Sequence, residues 1–440
     1  MITIEDLYKL YLSHPIVSTD TRKLPEGCLF FALRGANFDG NKYAGAALEA
    51  GAAYAIIDEA DQLIDERTIL VPDALEALQL LAAHHRRALG IPVIAITGTN
   101  GKTTTKELTA AVLSQSYHLL YTEGNLNNHI GVPLTLLRLT PEHQLALIEM
   151  GASKPGDIAE LCAIAAPNYG LITNIGQAHL EGFGSLEGVR RTKGELYDSV
   201  RARDGILFYH EKDEVLRQMS LGTERISYGS SPKAYVQGVA SPSTGESLFL
   251  HFSWSCPILE MSAREVQTQL VGDYNLANAL AAIAIGLYFD VPSDKIDEAL
   301  TSYCPSNSRS QLIHSERGNQ IIADAYNANP SSMRTALSNF LAIEPALRPR
   351  IVILGDMNEL GVSSHEAHQE LYQKLSSTTT PPLEIYLCGP HWQEELGDQL
   401  QVYSNVEELI THIEAHPITK SLILVKGSNS IHLGKLLPYL

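Results

Sequence analysis

The stretch that most constrains this chain is Val93 to Glu107, "VIAITGTNGKTTTKE". A short apolar run of strand length breaks into a Gly-rich turn and then into residues able to start a helix. The turn therefore sits at a helix N-terminus, where unpaired backbone N–H groups and the helix dipole favour an anion. Gly98 and Gly101 let the main chain approach phosphate oxygens, with Thr99 and Asn100 between them. Lys102 adds a point charge for the outer phosphates, and the hydroxyl of Thr103, followed by Thr104, suits a Mg²⁺ ion. The strict pattern G-x-x-x-x-G-K-[ST] is not met, because Ile96 stands where its first Gly belongs. The loop is a variant nucleotide-phosphate loop, and the bland alternative is a Gly turn with an exposed Lys.

Composition narrows what surrounds this loop. The chain has 440 residues, too many for one ordinary core, so two to four domains are expected. A net charge of −18 argues against a nucleic-acid or membrane-surface partner. The uncharged run Asn275 to Phe289 is too short to span a bilayer and reads as a buried helix. The N-terminus carries Glu5 and Asp6 early and lacks a signal-peptide core. Five scattered cysteines without a C-x-x-C pair indicate neither a disulfide framework nor a zinc site. The expectation is a cytoplasmic protein.

From residue 90 onward, strands and helices alternate, which implies α/β domains with parallel sheets. Strands are expected at 93–97, 145–150, 169–174 and 205–209, then at 320–324, 351–355, 384–388 and 421–425. Residues 1 to about 85 read as a smaller α/β unit. The alternating "ESLFLHFSW" (246–254) suggests a short antiparallel patch, and "SSTTTPPL" (376–383) a loop. The boundaries expected are 1–88, 89–307 and 308–440. "HHRR" (84–87) reads as a solvated helix end.

Read residue by residue, the remaining candidates leave alternatives open. Asn127 and Asn128 in "GNLNNHIGVPLTLLRL" can hold a polar substrate or simply shape a turn. Glu149 ends the apolar strand of "LALIEMGAS", where open α/β sheets bind ligands, or it is a strand-end carboxylate in solvent. Asn275 and Asn278 in "GDYNLANALAA" share one helix face. Asn327 and Asn329, before Pro330 in "ADAYNANPSSM", suit helix capping.

These stretches together resemble the Mur ligase family, which includes the folylpolyglutamate synthases. "TGTNGKTT" is similar to its ATP loop, and the likeness runs from "STDTRK" (18–23) to "LVKGS" (424–428). The resemblance implies three α/β domains: a small UDP-binding domain, a central P-loop ATPase domain and a C-terminal Rossmann-like domain. It implies ATP and two Mg²⁺ ions held by Thr103, Glu149, His179 and Lys193. The Lys193 of "KGELY" would be carbamylated, which replaces an ammonium with a metal-binding anion. Asn275 and Asn278 would face adenine, Arg309 the phosphates and Asp324 the ribose. Ser18, Asp20, Thr21, Arg22, Asn127, Asn128, Asn327 and Asn329 would contact the other substrates.

The implied activity is ATP-dependent amide-bond formation through an acyl phosphate. "DAYNANP" and "STDTR" point to UDP-N-acetylmuramoyl-tripeptide and D-alanyl-D-alanine as small-molecule substrates, handled by a monomer. Alternatives are a sister ligase adding a single amino acid or glutamate, and a P-loop ATPase without ligase activity. The chain departs from the family pattern at His129, Tyr274, Ala325, Asn358, Asn429 and Gly434.

Overall fold

The computed structural model describes residues 2–35, 37–241, 248–306, 309–343, 348–377, 383–396 and 401–440. Three main sheets divide the chain: one of four strands, one of nine and one of six. The N-terminal sheet is parallel and runs through strands Val17–Ser18, Leu29–Phe31, Tyr54–Ile57 and Thr68–Leu70. Helix Ala74–Leu89 packs beside it, begun by an Asp73 cap and stopped by Gly90 in the left-handed conformation.

The central sheet explains the position of the phosphate loop. Its parallel part has the spatial order Glu224–Gly229, Ile206–His210, Tyr169–Ile172, Val93–Thr97, Leu145–Glu149, Leu119–Tyr121. Strand Val93–Thr97 lies at the point where the chain order reverses, between Tyr169–Ile172 and Leu145–Glu149. Ligands bind at such switch points, beyond the carboxyl ends of the strands. All five residues of Val93–Thr97 are buried, which is why they read as a continuous apolar run instead of an alternating one.

The segment expected as a small antiparallel patch is larger and continuous with this sheet. Strand Val236–Ala240 joins in parallel, and the long strands Phe249–Cys256 and Met261–Val271 then pair antiparallel at the edge. Alternating burial along Phe249–Cys256 marks one face on the core, capped by helix Leu276–Tyr288, and one in solvent. That helix is buried on nearly every side, as its uncharged sequence requires.

The C-terminal sheet has the order Gln311–His314, Gln320–Asp324, Leu422–Lys426, Arg350–Gly355, Leu383–Cys388, Val402–Tyr403. Only its first pair is antiparallel. The chain is thus an α/β protein of three sheet-centred units, and no helix among the described residues is long and apolar enough to cross a membrane. Residues 378–382 of the expected loop lie outside the described residues.

"HHRR" departs from expectation. His84 and Arg87 are partly or fully exposed, but His85 and Arg86 are buried. Arg86 Nε donates to the Ala165 carbonyl at 2.8 Å, and its Nη2 reaches the Ala166 carbonyl and Asn168 Oδ1. His85 Nε2 lies 2.9 Å from the Leu139 carbonyl. The last turn of this helix is a polar weld between the first two sheets, and burial lowers the pKa of both groups.

Candidate active site

The loop from Gly98 to Thr103 sits at the carboxyl end of its strand and opens helix Lys102–Leu113. Two positions demand glycine. Gly98 has φ +142° and lies against Thr173, where a Cβ would fall 2.0 Å from Oγ1. Gly101 has φ +78°, and a Cβ there would meet Asn278 Oδ1 at 2.6 Å. The loop is clasped from the neighbouring strand end. Thr173 Oγ1 and Asn174 Nδ2 donate to the Asn100 carbonyl, while Asn100 N donates back to Asn174 Oδ1 at 3.0 Å. Thr99 Oγ1 bonds both the carbonyl and the N–H of Gly176.

Lys102 curls over this turn, its Nζ on the carbonyls of Gly98 at 2.8 Å and Thr99 at 3.1 Å. Half-buried by area, it lies deep in the cleft, and desolvation lowers its pKa, with Arg309 adding repulsion and Glu149 opposing it. Thr103 Oγ1 donates to Glu149 Oε1 at 3.1 Å. Asn127 Nδ2 donates to the same oxygen at 2.8 Å. Glu149 is 1% exposed, and its second oxygen, Oε2, has no partner. An orphaned buried carboxylate oxygen beside a threonine hydroxyl at a phosphate loop is a donor set suited to a hard divalent cation. Among the described residues no three His, Cys, Asp or Glu side chains converge on one point.

Thr104 lines the same cleft. Asn275 and Asn278 also line it and bond each other, Asn278 Nδ2 to Asn275 Oδ1 at 2.9 Å. Thr105 Oγ1 holds Asn278 Oδ1 at 3.0 Å, tying this pair to the phosphate-loop helix. Tyr274 packs against Gly272 and shares a 2.7 Å hydrogen bond with Ser310, and burial raises its phenol pKa.

The C-terminal unit completes the cleft. Arg309 stacks its guanidinium 3.8 Å from the Tyr326 ring centre and leaves its buried Nε without a partner. Asp324 is held by Lys426 Nζ at 2.7 Å. Asn329 caps helix Pro330–Ala342 through a capping box with Ser332, while its Nδ2 reaches Asn100 Oδ1 at 2.8 Å. Asn327 lines the cleft, and its carbonyl accepts from Lys426. His179, with φ +49°, pairs through Nδ1 with Glu359 of the C-terminal unit. These elements enclose a cleft of about 1490 Å³.

Lys193 stands just behind. It is 3% exposed, lies outside the cleft lining, and its Nζ sits 5.7 Å over the Phe183 ring with no hydrogen-bond acceptor among the described residues. Burial and the charge of Lys102 push its pKa well below the ordinary lysine value. Asn128 lines the cleft too, but its side-chain oxygen accepts from Ile130 N and Gly131 N and shapes the turn. Ser18, Asp20, Thr21 and Arg22 lie outside this lining, on a turn of the N-terminal unit where Arg22 pairs with Asp20. Of the departing positions, His129, Tyr274, Asn358 and Asn429 line the cleft, whereas Ala325 and Gly434 do not.

Sequence reasoning passed over Thr173, Asn174, Lys426 and Glu359 as site residues. Each works through a partner distant in sequence.

Three family models match in chain order: "Mur ligase family, catalytic domain" over residues 15–86, "Mur ligase middle domain" over 96–286 and "Mur ligase, glutamate ligase domain" over 308–429. The chain belongs to the Mur ligase family. Among Mur ligases, it is 38% identical over 421 residues to the UDP-N-acetylmuramoyl-tripeptide–D-alanyl-D-alanine ligase of Escherichia coli (strain K12), covering 94% of this chain and 91% of that one. It is 34% identical over 430 residues to the Bacillus subtilis (strain 168) protein of the same name, covering 96% and 92%. MurF from Acinetobacter baumannii superposes with a TM-score of 0.83 at 31% identity, covering 96% and 92%. MurF ligase from Thermotoga maritima, solved in complex with ADP, superposes with a TM-score of 0.84 at 25% identity, covering 97% of each chain.

Proposed function

We propose that this Mur ligase joins D-alanyl-D-alanine to UDP-N-acetylmuramoyl-tripeptide at the expense of ATP, in the making of a peptidoglycan precursor. The observation that carries this reading is the phosphate loop of Lys102 and Thr103, hydrogen-bonded to the orphaned carboxylate Glu149, beneath Arg309 and Asp324 of another unit. The two named relatives, each covered over nine-tenths of its length, bear that activity in their names.

A carboxylate oxygen of the tripeptide attacks the γ-phosphorus of ATP, the β–γ bridging bond breaks, and ADP leaves an acyl phosphate. The dipeptide amine, having lost its ammonium proton to water, then attacks the carbonyl carbon; inorganic phosphate departs with the C–O bond electrons and takes up the proton that nitrogen sheds. The first step needs positioning and charge neutralisation more than covalent chemistry. Lys102 and Arg309 supply cationic charge from two units, and the Gly98–Thr103 backbone cradles phosphate oxygens. Asn275 and Asn278 are assigned to an adenine edge, and Asp324 to a ribose. Asn127 holds Glu149 in place from the substrate side. Closing the C-terminal unit over the loop excludes water that would otherwise consume the acyl phosphate.

Thr103 and Glu149 would hold one Mg²⁺, while His179 and a carbamylated Lys193 belong to a second site. Such ions supply Lewis-acid stabilisation of the transferring phosphoryl group. The low pKa of Lys193 supports carbamylation, because only the neutral amine combines with CO₂. Ser18, Asp20, Thr21 and Arg22 are assigned to the uridine-nucleotide end, and the unit boundaries to 1–88, 89–307 and 308–440. A monomer working in the cytoplasm completes the proposal.

The test is phosphate release with ATP, Mg²⁺, the UDP-tripeptide and the dipeptide, each omitted in turn. Release requiring both acceptor substrates, with product of the summed mass less water, is expected. Release indifferent to the dipeptide would overturn the reading in favour of a sister ligase or a plain ATPase.

A further inference from the structure

An incoming amine arrives in water largely as an ammonium ion, and a cleft that accepts it needs an anion near the reacting centre. Five carboxylates line the cleft: Glu149, Asp157, Glu160, Asp324 and Glu359. Four are committed. Glu149 is buried at the phosphate loop with Thr103 and Asn127. Asp157 accepts the backbone N–H groups of Ser153 at 2.8 Å and Lys154 at 2.9 Å. Glu160 accepts from Gln79 at 2.8 Å, on the wall shared with the N-terminal unit. Asp324 is neutralised by Lys426.

Glu359 is different in three respects. Its side chain is 64% exposed, so a ligand can reach it. Its present partner is His179 Nδ1, a nitrogen donor from the opposite wall of the cleft, so an N–H donor already occupies the position an ammonium would take. Its loop is fixed from behind: Met357 N donates to buried His368 Nε2 at 3.1 Å, and Asn358 N to Ser428 Oγ at 3.0 Å. Glu359 itself keeps φ +63°, a conformation that a non-glycine residue holds only when its surroundings enforce it.

We propose that Glu359 receives the ammonium group of the incoming dipeptide, exchanging His179 for it and setting the amine against the acyl phosphate. The proposal rests on the ligase reading and adds the residue that recognises the acceptor. Asn358 and Ser430, joined at 2.6 Å, flank Glu359 with further polar atoms.

The experiment compares wild type, Glu359→Gln and Glu359→Asp. It measures KM for ATP, the UDP-tripeptide and D-alanyl-D-alanine, with melting curves for each variant. It adds the inhibition constant of a dipeptide analogue whose terminal amine is replaced by hydroxyl. Loss of a charge-assisted bond predicts a roughly 10- to 100-fold higher dipeptide KM in Glu359→Gln. The other two KM values and the analogue's inhibition constant should stay within about twofold, and Glu359→Asp should recover part of the loss. If all three KM values rise together, or the analogue weakens as much as the dipeptide, Glu359 is an interdomain latch and the proposal falls. A wild-type enzyme that makes no dipeptide-dependent product sinks the ligase reading instead, and that outcome is visible before any variant is tested.

Discussion

Asn329 Nδ2 and Asn100 Oδ1 meet at 2.8 Å, so the residue that caps a C-terminal helix also holds the phosphate loop of the central sheet. The cap uses the Asn329 side-chain oxygen and the bridge uses its nitrogen, so one amide does two jobs with two ends. Because the bridge joins the phosphate loop to the C-terminal unit, ATP seated on the loop is expected to feel this contact.

The two roles separate by substitution. Asn329→Asp keeps an oxygen for the cap but presents a carboxylate to Asn100 Oδ1 in place of a donor. Asn329→Ala removes both, at a cost of about 1 kcal/mol for the lost cap. Denaturant unfolding should show that loss for Asn329→Ala and little change for Asn329→Asp. Both should raise KM for ATP several-fold. An Asn329→Asp enzyme with wild-type KM would show that the bridge is incidental to nucleotide binding.

Glu149 gives an opposed pair of expectations. Glu149→Gln replaces a buried carboxylate bearing an orphaned oxygen by a neutral amide of equal size, which relieves desolvation. The ligand-free protein should therefore unfold at equal or higher temperature. Ligase activity should fall by about 100-fold or more, as expected when one preorganised charge at a phosphoryl-transfer site is removed. The Mg²⁺ concentration giving half activity should also rise. Calorimetry without ligands and rates across a Mg²⁺ titration check the two halves separately.

How much of this was legible in the sequence depended on how locally each feature is encoded. The Val93–Thr97 strand, its glycine turn and the following helix were read correctly because apolar run, turn chemistry and helix start lie within fifteen residues. The edge strands Phe249–Cys256 and Met261–Val271 are foreshadowed in the sequence only as a short antiparallel patch, since nothing local says that Val236–Ala240 continues the parallel sheet. Arg86 was read as solvated, because its acceptors at Ala165, Ala166 and Asn168 lie some eighty residues away. Glu359 was missed for the same reason: its partner His179 lies 180 residues earlier in the chain, in another unit.

That weld makes Arg86 the stability hinge of the N-terminal unit. Arg86→Ala takes the guanidinium donor from the Ala165 and Ala166 carbonyls, while Asn168 Oδ1 keeps the N–H of Val93, and unpaired buried acceptors cost about 1–3 kcal/mol each. The expected loss is of order 3 kcal/mol in denaturant unfolding, with the first sheet melting ahead of the others. A variant within 0.5 kcal/mol of wild type, an order-of-magnitude margin for a neutral surface change, would mean that water replaces the guanidinium at little cost.

Lys193 yields a prediction in which pH and CO₂ act together. Its folded-state pKa lies well below the unfolded value, because burial and Lys102 oppose the charge. The unfolded chain therefore binds one more proton than the folded one between those two pKa values. Stability should rise with pH from the depressed folded value up to the ordinary lysine value, near 10.4, and flatten beyond it. Lys193→Met, which has no charge to desolvate, should lose this slope and be more stable at neutral pH while losing activity. Bicarbonate should stabilise the wild type and raise its rate, since carbamylation removes the ammonium. In CO₂-free buffer the rate should drop, with recovery on adding bicarbonate, and a ¹³C carbamate resonance should be present in wild type and absent in Lys193→Met. Rates and melting curves that ignore CO₂ would leave Lys193 as a buried neutral amine with a packing role against Phe183.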